Sequence, residues 1–401
     1  MATRVVSRQP SPQSIRTATP SSVREVNRAI MLELIRKRQP ISRADLARIT
    51  GVFRSSVSDI VDELLDQELV KEERQPYQRG RGRVPMNLRL NDESCRVLGL
   101  DIRPSYSQIA ASGLSGKIQQ SLHFPTPRSP KKLVTAISQA ASKLCKAAGQ
   151  PFDRYERVGI AIPGHVDAHT GEILWTPTHP ELNHFSITSA IENELGIPAL
   201  ADNDCNLGAL SELWLSHRDG NSDFVFLNVS DYGVGAGVVI NGEIYLGHNS
   251  RFAAEVGHMI VESSGLRCRC GRHGCWEMYV SNDATFKRLH PGSRFSEDAF
   301  EQMLSSASKG NKRASKALDE TARYLSVGVS NIGYLFNPSE IVVAGRITAV
   351  WDLIQEAVIQ RHSGPGALPK LRPARMSADD SLLHGAVCLA LRATFAGPKF
   401  G

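Results

Sequence analysis

The 401-residue sequence predicts an α/β chain in two parts, a small basic head built mainly of helices and a larger, nearly neutral body of two similar halves around a cleft. Three observations carry that expectation. Charge is unevenly spread: through Asn91 there are 17 Lys and Arg against 10 Asp and Glu, or +7, and in the remainder 30 against 31, or −1. Apolar residues of the first part recur at helical spacing. In the body a pattern of three short alternating strands, RVLGLDIRPSYSQIAASGLSGKIQQSLHF from Arg96, returns as FVFLNVSDYGVGAGVVINGEIYLG from Phe224, which implies an internal duplication.

The length allows two or three domains with ample core and excludes a small disulfide-stapled scaffold. No apolar leader stands near the N-terminus, and no stretch approaches about 18 uninterrupted apolar residues. A soluble, cytoplasmic protein without a membrane partner is therefore expected. Cys95, Cys145, Cys205 and Cys388 are scattered and read mostly as small core hydrophobes.

Residues 1–21, rich in Ser, Pro, Thr and Arg, read as a disordered arm. In VREVNRAIMLELIRKR the residues Val26, Ile30, Leu34 and Ile35 form one face of a helix that Pro40 ends. In ISRADLARITG, Ser42 reads as the N-cap of a second helix, Leu46 and Ile49 as its inward face, and Gly51 as the turn. SSVSDIVDELLDQELV then buries Val57, Ile60, Val61, Leu64 and Leu65. Two short helices joined through a glycine make a helix-turn-helix candidate, whose later helix would enter the major groove of double-stranded DNA. Arg54, Ser55, Ser56 and Ser58 stand where that helix would meet base edges, and Arg43, opening the helix before it, is a further candidate contact. LVKEERQ and VPMNLRLN read as two strands flanking RGRGR, a wing whose Arg79, Arg81 and Arg83 suit a narrow minor groove. The head so defined covers residues 22–91 and the body 92–401. A solvated linker would also explain the arginine run, and plain helix packing the helix pair; the whole series in order is what points to DNA.

In the body, RVGIAIPG and EIVVAGR read as buried strands, one in each half, and Asn241-Gly242 as a hairpin turn. Two such halves around a cleft make a hinged ligand site. Gly233, Gly235 and Gly237 in DYGVGAGVV fit either a loop that a ligand approaches closely or a tight turn entering a strand.

CRCGRHGCWE places Cys268, Cys270 and Cys275 within eight residues, and His258 in AEVGHM completes a His-x9-Cys-x-Cys-x4-Cys spacing. Three thiolates and an imidazole suit tetrahedral Zn2+, and with four protein ligands the shell is closed, so the metal would be structural. A redox-active thiol cluster and an iron–sulfur site are the competing readings. Zinc would tie the cysteine loop to the segment of His258 and so position Glu255 and Glu277. With Asn203 and Asp204 of ADNDCN, these carboxylates are the group types a polyhydroxylated ligand needs: acids accept from hydroxyls, and Asn both donates and accepts.

AAEVGHM followed by CRCGRHGCWEMYVS resembles the signature of the ROK family of repressors and sugar kinases, and SRADLARITG with the RGRGRVP wing resembles its repressor branch, over roughly residues 22–395. The resemblance implies an N-terminal winged helix-turn-helix and a duplicated, actin-like or hexokinase-like ATPase body of the ribonuclease H-like kind. It also implies that Asn203, Asp204, Glu255, His258 and Glu277 contact a sugar, with Asp204 at the position of the kinase base. The sequence departs from the kinases in two places. Where they carry Asp-x-Gly-x-Thr it has Asp101-Ile102-Arg103-Pro104-Ser105, and where they have paired glycines it has Gly345-Arg346. A long side chain and a lost amide donor there oppose nucleotide binding. Thr178 and Leu182 stand where sugar-binding members have Asn and Trp, and Phe53 where repressors have a capping Ser.

The expectation is a DNA-binding regulator, a repressor, controlled by a sugar or sugar phosphate, acting as a homodimer or homotetramer on an operator, with kinase activity lost. A sugar kinase with an appended DNA-binding head is the alternative. A regulator whose sugar site is a relic is the third.

Overall fold

The computed structural model describes residues 20–74, 86–93, 96–216, 223–248, 254–361 and 368–395. Most of the N-terminal arm, Cys95 and the wing arginines Arg79, Arg81 and Arg83 lie outside the described residues. The chain divides into two compact units, one formed chiefly by residues up to 94 and the other by most of 95–390.

In the first unit, α1 (Pro20–Arg38), a short β1 (Ile41–Ser42), α2 (Arg43–Thr50) and α3 (Arg54–Asp66) precede a hairpin of β2 (Val70–Arg74) and β3 (Met86–Leu90). The sheet order is β1-β3-β2, with Val70 opposite Leu90 and Ile41 opposite Leu88. Ser42 caps α2 as expected, its hydroxyl accepting from the amide of Asp45, and Gly51 ends the helix in the left-handed region at φ 70°. The core gathers Met31, Leu32, Ile35, Leu46, Val57, Ile60, Val61, Leu64 and Leu88. Two expectations fail here. Ile30 and Ile49, read as inward-facing, are 46% and 37% exposed, because α1 turns the neighbouring Met31 and Leu32 to the core and α2 is long enough to bury only Leu46. Leu65 is half-buried rather than part of the core.

The second unit contains two five-stranded sheets of identical topology. The first lobe has β4 (Val97–Asp101), β5 (Tyr106–Ser112), β6 (Ile118–Pro125), α4 (Pro130–Ala147), β7 (Arg157–Ile162), a small sheet of β8 (His165–Asp167), β9 (Glu172–Trp175) and β10 (Phe185–Ser186), then α5 (Ile187–Leu195) and β11 (Ala199–Asn203). The linking helix α6 (Asp204–Leu215) leads to β12 (Phe224–Val229), β13 (Val234–Ile240) and β14 (Glu243–Ile244). Then follow α7 (Glu277–Val280), α8 (Asn282–Leu289), α9 (Glu297–Ser308), α10 (Lys312–Phe336), β15 (Glu340–Ala344), α11 (Trp351–Arg361), β16 (Lys370–Pro373) and α12 (Ala378–Phe395). The strand orders are β11-β7-β4-β5-β6 and β16-β15-β12-β13-β14. In each, three strands pair antiparallel and the other two join in parallel across a helical crossover. The repeat read from the sequence is thus a repeat of topology, strand for strand.

Each lobe has its own apolar core; Ile109, Val158 and Ile160 lie in the first, and Trp276, Phe300 and Val343 in the second. Helices α6 and α12 join them. Gly235 and Gly237 lie within β13 beneath α6, and a Cβ at Gly237 would stand 2.4 Å from the carbonyl oxygen of Cys205. Gly237 therefore serves close helix–sheet approach, while Gly233 and Gly235 line a cavity. At Gly385 α12 crosses α6 backbone to backbone, a Cβ there falling 2.0 Å from the Leu207 oxygen. Among the described residues no helix is long and apolar enough to cross a membrane.

Candidate functional site

The strand ends converge on a cavity of about 440 Å³. Asp101 closes β4, Asn203 closes β11, Asn228 and Val229 close β12, and Gly345 follows β15, so the cavity lies at the carboxyl ends of the strands in both lobes. Ligands in α/β sheets bind at such ends because short turns and helix N-termini leave backbone groups unpaired there. Asn203, Asp204, Glu255, His258 and Glu277 all line this one cavity.

Their local settings differ. Asn203 is the N-cap of α6: its Oδ1 accepts from the amides of Cys205 (2.8 Å) and Asn206 (3.2 Å), and its Nδ2 donates to the Gly164 carbonyl at 2.8 Å. Most of its bonding capacity is spent on the turn, so it shapes the site more than it reaches into it. Asp204 opens α6 with Oδ1 taking the Cys205 amide at 2.8 Å. Burial first, and then the nearby Asp101 carboxylate, push its carboxyl up to about 7. Asp101 rises to about 6, burial outweighing the attraction of Arg103, and the buried Asp202 also rises to about 6. Glu255 meets Nε2 of His165 at 3.0 Å, and the His165 ring leans on Trp175 with centroids 5.2 Å apart. The carboxylate of Glu255 is thus held from the first lobe.

The cysteine loop folds back onto the segment of His258 through backbone bonds from Trp276 to Met259 (2.8 Å) and from Val261 to Gly274 (2.9 Å). This brings His258, Cys268, Cys270 and Cys275 together, with all four donor atoms within 4.8 Å of one another. The Cys270 and Cys275 sulfurs are 3.6 Å apart, and Cys268 Sγ lies 3.7 Å from His258 Nδ1. A tetrahedron with bonds of about 2.3 Å has edges of about 3.8 Å, so the cluster has the dimensions of a closed four-ligand metal site. Glu277, buried, has Oε1 3.0 Å from Cys268 Sγ, which sets the cluster against the wall of the cavity.

At the two places where the sequence departs from the kinases it resembles, Arg103 and Arg346 each form a knot of ion pairs. Arg103 Nε holds Asp101 at 2.5 Å, its Nη1 holds Asp379 at 2.5 Å, and its Nη2 donates to the Asp379 carbonyl at 2.9 Å. Arg346 is paired with Glu301 at 2.5 Å, with Glu297, and with Asp231 at 3.5 Å. Leu182, expected in the sugar wall, is instead buried in the first-lobe core; Thr178 does line the cavity, and the aromatic surface there is Trp175. Sequence reasoning missed His165 and Trp175, although PGHVD directly after a buried strand was a signal for the former.

In the first unit Arg54 and Ser55 are exposed at the start of α3, with Ser56 and Ser58 half-buried. Phe53 precedes them 84% exposed and caps nothing with its side chain. Arg43 is not a free contact: its guanidinium pairs with Asp62 (2.8 Å) and Glu72 (2.9 Å), bracing α2 against α3 and β2.

Comparison with known proteins gives a consistent picture. The pattern of the ROK family matches residues 97–393. The xylose repressor of Bacillus spizizenii is 29% identical over 340 residues, covering 84% of this chain and 86% of that protein. The DNA-binding transcriptional dual regulator NagC of Escherichia coli is 28% identical over 387 residues, 94% of each chain. Among solved structures, a ROK family transcriptional regulator described as a homolog of the Escherichia coli MLC protein superposes with a TM-score of 0.79 at 23% identity, over 92% of this chain and 97% of that one. A ROK family glucokinase from Streptomyces griseus, in complex with glucose and AMPPNP, gives 0.63 at 25% identity, over 73% of this chain and 98% of its own.

Proposed function

The chain belongs to the ROK family, and from that premise we propose that it is a DNA-binding transcriptional repressor whose body takes a sugar as effector. The span of the likenesses carries this reading. The Escherichia coli regulator matches 94% of the chain, too much to leave out the head, whereas 73% of the chain accounts for nearly all of the glucokinase.

On this reading residues 22–91 are a winged helix-turn-helix. Arg54, Ser55, Ser56 and Ser58 at the start of α3 read the major groove, and Arg79, Arg81 and Arg83 supply phosphate or minor-groove contacts. Residues 92–401 are the effector body. Zinc held by His258, Cys268, Cys270 and Cys275 supplies shape rather than chemistry, fixing Glu277 at the cavity. Asp204, Glu255, His258 and Glu277 bind sugar hydroxyls. An effector that prefers one arrangement of the lobes shifts the population towards it, and a homodimer or homotetramer presents two heads about 34 Å apart to paired half-sites. Such a protein works on DNA in the cytoplasm.

The kinase alternative is favoured by one observation, a carboxyl raised to about 7 at Asp204, which suits a general base near neutrality. Against it stand Arg103 and Arg346, since phosphoryl transfer is mostly positioning and electrostatics and both side chains occupy the places of glycines. Selection of bound duplexes from a random pool, followed by fluorescence anisotropy with and without sugars, tests the repressor reading. It expects one enriched motif and binding that a sugar alters. ADP release with glucose, xylose and N-acetylglucosamine is expected to stay at background. Turnover abolished by Asp204→Asn would establish the kinase instead.

A further inference from the structure

Reading the cleft as an effector site leaves the effector's charge class open, because a sugar and its phosphate ester share a ring. We propose that the cleft accepts an unphosphorylated sugar, neutral or amino-substituted, and rejects the corresponding phosphate. This rests on the effector reading above.

Among the described residues, two of the three cations along the cavity are already spent. Arg103 lies between Asp101 and Asp379, Arg346 among Asp231, Glu297 and Glu301, and Arg269 donates to the Tyr232 carbonyl. These are the only Lys or Arg side chains along the cavity among the described residues. To bind a phosphate, Arg103 or Arg346 would first have to give up a carboxylate, whereas Arg269, bonded to a carbonyl, keeps its charge.

The backbone anion sites at the starts of α6 and α12 are spent too. A helix N-terminus normally offers free amides to a phosphate. At α6 the Asn203 Oδ1 takes two of those amides and Asp204 is the first residue of the helix. At α12, Asp379 and Asp380 occupy the first turn, and Ser377 Oγ takes the Asp380 amide at 3.0 Å. These two helices thus carry their own acid where a ligand's anion would sit.

What remains facing the cleft is acidic. Of the seven carboxylate side chains that line it among the described residues, Asp101, Asp231, Glu297 and Asp379 pair with Arg103 and Arg346, and Asp204, Glu255 and Glu277 are left. A phosphate monoester adds a charge of about −1.5 to −2 to that field. Between groups a few ångströms apart and partly removed from water, like charges repel strongly enough to decide binding. A neutral ring meets no such cost: its hydroxyls donate to Glu255 and Glu277, and Trp175, 37% exposed and supported by His165, offers a flat apolar surface for its C–H face.

Isothermal titration of the full-length, zinc-loaded protein with glucose, N-acetylglucosamine, xylose and glucosamine, and with glucose 6-phosphate and N-acetylglucosamine 6-phosphate, separates the two charge classes. For whichever of glucose and N-acetylglucosamine binds, its phosphate should bind at least about tenfold more weakly; binding of glucosamine or xylose while both phosphates fail supports the proposal equally. A phosphate that binds as tightly as its sugar, or more tightly, overturns the proposal and leaves the effector reading standing. No binding by any of the six removes the effector reading and this proposal together. Asp379→Asn releases one side of Arg103 and should narrow the preference for free sugar by about threefold or more. An unchanged ratio would show that arginine pairing is not what excludes the phosphate.

Discussion

At Asp204 the chemistry turns on one proton. Its carboxyl, ordinarily near 3.8, is raised to about 7 by burial and by Asp101. The folded chain therefore holds a proton that the unfolded chain has lost, and this acid-side stabilisation disappears as pH climbs through the window from about 4 to about 7. Asp204→Asn has no such penalty. Its advantage over the unaltered chain in urea melts is expected to grow by on the order of 2 kcal/mol between about pH 5 and about pH 8. A constant difference would mean that the carboxyl titrates normally. For the metal, Cys270→Ser removes a ligand from the rim, and zinc measured by mass spectrometry should fall from about one per chain to near none, with a lower melting temperature. Unchanged zinc would remove Cys270 from the ligand set. The grouping of these four residues, which could hold a metal ion, was legible in the sequence because they lie within one short stretch, His258 to Cys275. The Arg103–Asp379 pair was not, since its partners are 276 residues apart and nothing local to either names the other.

At the scale of the element, helix α3 illustrates both what periodicity reveals and where it stops. Val57, Ile60, Val61 and Leu64 form the buried stripe that the 3.6-residue period predicts. In α1 two apolar stripes overlap, through Ile30 and Leu34 and through Met31, Leu32 and Ile35, and only the packing partner decides between them. The small sheet of β8, β9 and β10 escaped because its strands are only two to four residues long. The start of α3 is open to test. Phe53 has extended backbone at φ −56°, ψ 141°, and supplies no side-chain bond to the first turn. Phe53→Ser should add roughly 1 kcal/mol to stability by capping it, measured by denaturant melts; no gain would show that those amides are already satisfied. In anisotropy titrations Arg54→Ala should weaken specific binding more than nonspecific binding. Replacing Arg81 and Arg83 should lower both and flatten the dependence on salt. Equal losses for Arg54 would contradict a base contact.

The whole molecule was most legible where the chain repeats itself. Two strand-rich segments that looked alike in sequence are the leading halves of two sheets with one topology, and both sheets direct their carboxyl ends at one cavity. The crossing of α6 and α12 was hidden, because Gly385 in isolation reads only as a weak point in a helix. Gly385→Ala should cost about 1–3 kcal/mol, since its methyl group would stand against the Leu207 carbonyl; a neutral substitution would mean the helices part easily. The crossing also restricts how the cleft can open. With two backbones in touch at one point and a core in each lobe, the expected motion is that of scissor blades on a rivet. A ligand held between the lobes is expected to turn them about that point rather than slide one past the other.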